Sequence, residues 1–135
     1  MKAAIRRLVC RRAGNRCEYC LMHQNDDPHL SFHLEHIIAR KHFGSDRPSN
    51  LAWSCHKCNR AKGPNVSGRI EDDIVPLFHP RRQRWSRHFR WVGARIVGKT
   101  KTGKATVLVL NLNAPERILV RVALIAAGAF PPPVH

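Results

Sequence analysis

The chain is 135 residues long, a length that allows one domain, or one domain with an extension, and only a modest hydrophobic core. It contains 24 Lys and Arg residues against 9 Asp and Glu residues, and its formal net charge at pH 7 is +15. An excess of this size favours a polyanionic partner, first of all nucleic acid, because an ordinary solvated surface mixes the two signs more evenly.

The same composition argues against a membrane partner. The charged N-terminus is not followed by an apolar run of signal-peptide length. The apolar segment at 118–127 is interrupted by Arg121 and has about half the length of a membrane span. We therefore expect a soluble cytoplasmic protein, associated with the nucleoid if its source is bacterial.

The N-terminal part of the chain, residues 1–63, is predicted to form one compact core. Ile5, Leu8 and Val9 recur at helical spacing and predict a basic helix, which Gly14 can end. The further predicted elements are a strand–turn–strand segment over 31–39, a short strand over 51–53, and a helix from about 58 to 62. Gly63 followed by proline ends the last helix.

Residues 64–135 are predicted to be a C-terminal extension that begins with a linker. Its predicted elements are an extended segment over 76–81, an aromatic and arginine-rich segment over 81–91, a strand over 92–97, an ambiguous strand or helix over 105–112, and a helix over 113–127. In the last helix Asn113 can act as N-cap and Pro115 fits the first turn. The aromatic segment has two interpretations, base stacking or core packing with arginines outside, and we favour the second.

Residues 93–100 (GARIVGKT) match the Walker A pattern letter for letter. A P-loop needs a buried strand before the glycines and a helix after the lysine, within a βαβ sheet. Here the middle of the motif is itself strand-like, so we predict a β-hairpin with a glycine turn and expect no nucleotide cofactor.

Four cysteines form two Cys-x-x-Cys pairs, Cys17–Cys20 and Cys55–Cys58. Two sulfurs from each short turn can reach the same ion, and four thiolates suit the closed tetrahedron of a structural zinc. In a reducing compartment this pattern favours metal over disulfides. The spacing therefore predicts one structural Zn²⁺, held by all four cysteines.

A competing assignment combines Cys17 and Cys20 with His33 and His36, in the manner of a classical zinc finger. The interval between the two histidines is one residue short of the usual range. That arrangement also leaves the second cysteine pair, which begins at Cys55, without a role. We reject this alternative.

Three segments together resemble the HNH endonuclease motif: residues 32–38 (FHLEHII), 49–51 (SNL) and 55–63 (CHKCNRAKG). The resemblance is to the branch of the family in which two Cys-x-x-Cys pairs brace a ββα-metal core, and it covers about residues 15–63. It implies an α+β fold with a small ββα-metal core and a C-terminal hairpin and helix extension.

The resemblance also implies catalytic roles. His36 would be the general base that activates water, which suits a side chain that titrates near neutrality. Glu35 and Asn59 would bind a divalent cation, and Asn50 would fix the loop and orient the catalytic histidine. Because these ligands are rich in oxygen, Mg²⁺ or Mn²⁺ is expected at the catalytic position.

Basic residues near the motif are candidates for phosphate contacts. They are Arg40, His42, Arg60 and Lys62; for His42 a solvated loop position is the alternative, and His33 is either structural or a further ligand. The implied reaction is hydrolysis of DNA phosphodiester bonds to 5′-phosphate and 3′-hydroxyl ends, by a monomer or weak dimer. Two alternatives stay open, a zinc-ribbon-like nucleic-acid-binding module without catalysis and an RNA-directed nuclease.

Overall fold

A computed structural model describes residues 2–27 and 31–133 of the chain. The chain divides into two units, Met1–Val66 with His79–Arg82, and Ser67–Phe78 with Gln83–His135. Helices and antiparallel hairpins occur in both units, and the predicted α+β class is confirmed. Within the described residues, no helix combines the length and the apolar character needed to cross a bilayer.

Within its described residues, the first unit contains two helices and one hairpin. Its elements are α1 (Lys2–Arg12), β1 (Phe32–His36), β2 (Leu51–Cys55) and α2 (His56–Lys62), with 3₁₀ turns at Gln24–Asp26, Arg40–His42 and Pro48–Asn50. Strands β1 and β2 are antiparallel, with Phe32 opposite Cys55 and His36 opposite Leu51. Helix α2 follows β2 directly, so the order of elements is strand, loop, strand and helix.

Local chemistry explains where these elements begin and end. Helix α1 closes with Arg11 and Arg12, which suit the negative end of the helix dipole, and Gly14 follows with φ of 63°. Cys55 is the N-cap of α2, and its Sγ accepts a hydrogen bond from Cys58 N at 3.4 Å. Gly63, with φ of 51°, ends α2 as predicted.

The predicted strand–turn–strand element over 31–39 is wrong in its second half. Only β1 forms there, and its partner is β2. Beyond His36 the Asn50 side chain, rather than a neighbouring strand, satisfies both backbone groups of Ile38. The chain therefore leaves the sheet and enters a long loop.

The core of the first unit lies between α1, the hairpin and the first cysteine pair. Phe32 and Trp53 are both buried, with ring centroids 5.9 Å apart. Arg12 donates to the carbonyl of Leu51 at 2.7 Å, and burial lowers its pKa. This contact ties the end of α1 to the start of β2.

The second unit contains two hairpins and three helices in the part that the structure describes. Its elements are β3 (Ser67–Ile70), β4 (Asp73–Pro76), α3 (Trp85–His88), β5 (Phe89–Val92), β6 (Arg95–Gly98), α4 (Lys101–Val109) and α5 (Pro115–Ala126). The hairpin of β5 and β6 turns at Gly93, which confirms the predicted glycine turn within the Walker-like letters. The hairpin of β3 and β4 was not predicted. The ambiguous segment at 105–112 is mostly helical, within α4, whose N-cap is Thr100.

The last helix begins differently from the prediction. Its N-cap is Ala114, not Asn113. The Asn113 amide instead accepts from Ile96 N at 2.9 Å and donates to Ile96 O at 2.8 Å, so it holds the helix start to strand β6. Arg121 is buried and donates to the carbonyl of Ala94 at 2.7 Å.

The aromatic residues of the arginine-rich segment form core contacts. Trp85 and Phe89 are 7% and 1% exposed. Phe89 packs edge-on against Phe78, with ring centroids 5.2 Å apart, and Trp85 stacks on Trp91 at 5.4 Å. The core-packing interpretation is confirmed for these rings.

Candidate functional site

The four predicted zinc ligands form a single buried cluster. Their Sγ atoms all lie within 4.8 Å of one another, and Cys20 Sγ is 3.8 Å from Cys55 Sγ. A tetrahedron with Zn–S bonds of about 2.3 Å has sulfur–sulfur edges of roughly 3.8 Å, so the cluster fits the geometry of a zinc site. Burial raises the pKa of the Cys17 thiol well above its ordinary value, which makes a bound cation the natural means of stabilising the thiolates.

The two histidines of the rejected zinc finger lie outside this cluster. His33 Nε2 is 3.1 Å from His56 Nδ1, and burial is the main cause that lowers the pKa of His33. His36 contacts Asp46 instead. The cluster therefore consists of four cysteines, and His36 is left for another role.

Glu35 is buried, on the face of β1 opposite to that of His36. Its side chain is 4% exposed, and Lys62 Nζ is 2.8 Å from its Oε1. The Tyr19 hydroxyl lies 3.1 Å from both carboxylate oxygens. Burial raises the pKa of Glu35, and Lys62 and Tyr19 oppose that rise. Lys62 also donates to the carbonyl of Ile37 at 2.8 Å, so this ion pair joins β1 to α2.

These contacts bear on two expectations, both of which stay predictions. The ammonium of Lys62 already neutralises the Glu35 carboxylate inside the core, so Glu35 does not fit as an open ligand for a divalent cation in this arrangement. Lys62 itself is 1% exposed and does not present its ammonium to an external phosphate. Sequence alternation along a strand puts neighbours such as Glu35 and His36 on opposite faces, and that signal was available before the structure.

His36 lies on the other face of β1, at the edge of an open cavity of about 440 Å³. Its Nε2 is 2.7 Å from Asp46 Oδ1, and Arg40 Nε is 3.0 Å from the same oxygen. The hydrogen bond with His36, followed by that with Arg40, lowers the pKa of Asp46. Asp46 was not among the residues predicted from the sequence, although it is the one acidic residue between positions 37 and 50.

Asn50 fixes the segment 37–50, called the site loop below. Its Oδ1 accepts from Ile38 N at 2.9 Å, and its Nδ2 donates to Ile38 O at 2.9 Å and to Ser45 O at 2.8 Å. The amide is buried and bridges the two arms of the loop, one next to His36 and the other next to Asp46. This arrangement can hold the distance between the two side chains.

The remaining candidates lie on the site loop and on α2. Arg40 and His42 are exposed on the loop, and Arg60 is exposed on α2. Asn59 is half-buried on α2; in the part of the chain that the structure describes, its side chain has no hydrogen bond to Glu35 or His36. The roles assigned to these four residues stay predictions.

A second, larger cavity lies beside α1 and was not anticipated. It has a volume of about 660 Å³, and three arginines line it together with three amide side chains: Arg6, Arg7, Arg11, Asn15, Gln24 and Asn25. Arg6 lines the cavity at His36 as well, and its guanidinium lies 4.7 Å from the centre of the Trp53 ring. Among the described residues, no acidic side chain lines this larger cavity, which therefore suits an anion.

Comparison with known proteins bears on the same region. Residues 17–65 match the family model described as HNH endonuclease. The chain is also similar to the Septu protein PtuB of Bacillus thuringiensis, with 28% identity over 120 residues, which are 87% of this chain and 44% of that protein. The chain therefore spans less than half the length of this relative. No solved structure matches the chain.

The matched region contains both cysteine pairs, β1, the site loop, β2 and α2. These are the elements on which the motif resemblance depends. The family match, the strand–loop–strand–helix order and the buried four-cysteine cluster agree with one another. Residues 17–65 of this chain therefore match the HNH endonuclease domain in sequence, and the order of elements and the four-cysteine cluster agree with that match.

Proposed function

We propose that the protein is an endonuclease that hydrolyses phosphodiester bonds in DNA, with His36 as the general base. One observation carries this proposal: His36 faces an open cavity while its Nε2 lies 2.7 Å from the Asp46 carboxylate, on a loop that Asn50 fixes. The net charge of +15 supports a polyanionic substrate.

The protonation of His36 follows from its partner. The lowered pKa of Asp46 keeps this carboxylate ionised near neutral pH, and an ionised carboxylate only accepts hydrogen bonds. Nε2 of His36 is then the protonated nitrogen, and Nδ1 of the neutral ring is free to accept a proton from water. When that proton arrives, Asp46 stabilises the imidazolium without itself becoming protonated.

A divalent cation, Mg²⁺ or Mn²⁺, is part of the proposal and would supply charge neutralisation on the phosphoryl oxygens and on the departing 3′ oxygen. Glu35 does not fit as its ligand, for the reason given above, and Asn59 alone does not define a site. No step of the mechanism is therefore assigned through the cation. The steps that remain are those of His36, Asp46 and the basic residues that hold the substrate.

We also propose that the four-cysteine cluster holds one structural Zn²⁺ in a reducing, cytoplasmic setting. The unit that it braces is small, and closing a long loop by metal offsets part of its ordering entropy. The catalytic residues lie between the two cysteine pairs, so the metal would stabilise the geometry of the site without taking part in the reaction.

Nicking of supercoiled plasmid with added Mg²⁺ or Mn²⁺ tests the proposal. We expect the His36→Ala variant to lose about 10²- to 10⁴-fold in nicking rate, the usual contribution of a general base, with unchanged melting temperature and zinc content. Leu119→Ala is the control, because this side chain is 70% exposed and lies outside residues 17–65. If wild type binds DNA but cuts neither DNA nor RNA with any divalent ion, the non-catalytic binding module is the correct function; cutting of RNA alone identifies an RNA nuclease.

A further inference from the structure

Phe43 lies on the site loop with its side chain almost fully in solvent. It is 98% exposed, whereas the other four phenylalanines of the chain, at positions 32, 78, 89 and 130, are at most 7% exposed. An exposed aromatic ring gains nothing from burial in the protein core. Its position therefore calls for an explanation other than folding.

Hydrogen bonds and close packing hold the backbone at Phe43 in one conformation. Its φ is 65°, a left-handed conformation that costs a residue with a side chain and that is found preferentially at functional positions. Its N–H donates to Arg40 O at 2.9 Å, and the next N–H, of Gly44, donates to Ala39 O at 3.0 Å. Gly44 also packs against the carbonyl of Ile38 so closely that no Cβ fits there. The ring is presented by a braced turn.

The surroundings of the ring define its ligand. The loop residues on either side of Phe43 carry exposed basic groups, namely Arg40, Lys41, His42 and Arg47. A planar apolar ring among cations matches a nucleic-acid strand, in which flat bases alternate with phosphates. A lipid surface or a protein pocket would be expected to contact a wider apolar patch than one ring.

We propose that Phe43 stacks on a base of the bound nucleic acid and so fixes the strand whose phosphodiester faces His36. This inference rests on the proposed function. Asn50 links Phe43 to the site of His36. The hydrogen bonds of its side-chain amide hold together the two arms of the loop that carries Phe43 and Asp46. Base stacking sets the position of the strand without selecting its sequence, while the basic neighbours of the ring supply charge.

Binding of fluorescently labelled DNA, single-stranded and duplex, without added divalent ion tests this inference. We expect Phe43→Ala to weaken binding by about 5- to 150-fold, the range for the loss of one base–aromatic stack, with no change in the salt dependence, because no phosphate contact is removed. Phe43→Trp should retain affinity, and the fluorescence of its indole should be quenched on binding. Because the side chain is exposed, the melting temperature should not change in either variant.

Leu119→Ala is the matched control, since this side chain is 70% exposed and lies outside the HNH domain. It should leave DNA binding unchanged. If wild type binds and cuts DNA while Phe43→Ala does so equally well, the stacking role is wrong and the proposed function stands. If wild type neither binds nor cuts nucleic acid, the proposed function itself fails and the inference falls with it.

Discussion

Glu35 and His36 are adjacent on strand β1, but their side chains lie on opposite faces of the strand and in different surroundings. On one face Glu35 is 4% exposed and forms an ion pair with Lys62 inside the core. On the other face the side chain of His36 is 21% exposed and meets Asp46 at the edge of a cavity. Glu35 thus joins β1 to α2 through its ion pair, and His36 is the residue that we propose as the base. In this proposal, two neighbours within one motif have separate roles, one in stability and one in chemistry.

Disruption of the four-cysteine cluster should affect both Glu35 and His36, because both belong to the same small unit. We expect Cys55→Ser to lose bound zinc and soluble, cooperatively folded protein, since structural zinc supplies folding free energy outright. The measurement is zinc content together with thermal melting monitored by circular dichroism. Cys10→Ser is the control, because Cys10 lies outside the cluster and a serine hydroxyl can still donate to Asn15. Unchanged melting of Cys55→Ser would contradict a structural role for the cluster.

Substitution of the buried Glu35 should lower stability. We expect Glu35→Gln to lower the free energy of unfolding by about 3 to 5 kcal/mol, because it leaves the buried ammonium of Lys62 without its counter-charge. The double variant Glu35→Gln/Lys62→Met should recover most of this loss, since replacing both members of a buried pair is often neutral. Chemical denaturation measures both values. A single variant as stable as wild type would mean that the ion pair contributes nothing.

Substitution of Asp46, the partner of His36, should lower the nicking rate and leave stability unchanged. We expect Asp46→Asn to reduce the nicking rate by about 10- to 100-fold, because the amide orients His36 less firmly and no longer stabilises its charged form. Asp72→Asn, a change of the same kind at a fully exposed residue of the second unit, is the control. An unaltered nicking rate would remove Asp46 from the mechanism.

The sequence predicted the cysteine cluster because ligand spacing is a local property of each turn. It also predicted a strand over 51–53 and a helix that ends at Gly63, which correspond to β2 and α2, but it did not predict that β2 pairs with β1. It did not predict the ion pair of Glu35 with Lys62, since 26 residues separate the two and the motif assigned each a different role. The prediction that Asn113 caps the last helix was wrong for a related reason. Asn is a common N-cap residue, but here its side chain makes a tertiary contact with Ile96.

The match to PtuB extends beyond the HNH domain. It covers 120 residues, whereas the family model covers 17–65. Part of the C-terminal extension is therefore included in the similarity. The extension has its own aromatic core, formed by rings such as Phe78, Trp85 and Phe89, which is consistent with a folded unit rather than a tail.

The most direct test of the division between the two faces is the nicking rate of the Glu35→Gln/Lys62→Met double variant, measured with Mg²⁺ or Mn²⁺ at a temperature where its melting curve shows it to be folded. If Glu35 serves stability alone, the double variant should cut plasmid at close to the wild-type rate, while His36→Ala at the same temperature does not. A folded double variant that no longer cuts, at any concentration of either ion, would contradict this division and would make Glu35 a ligand of the catalytic cation.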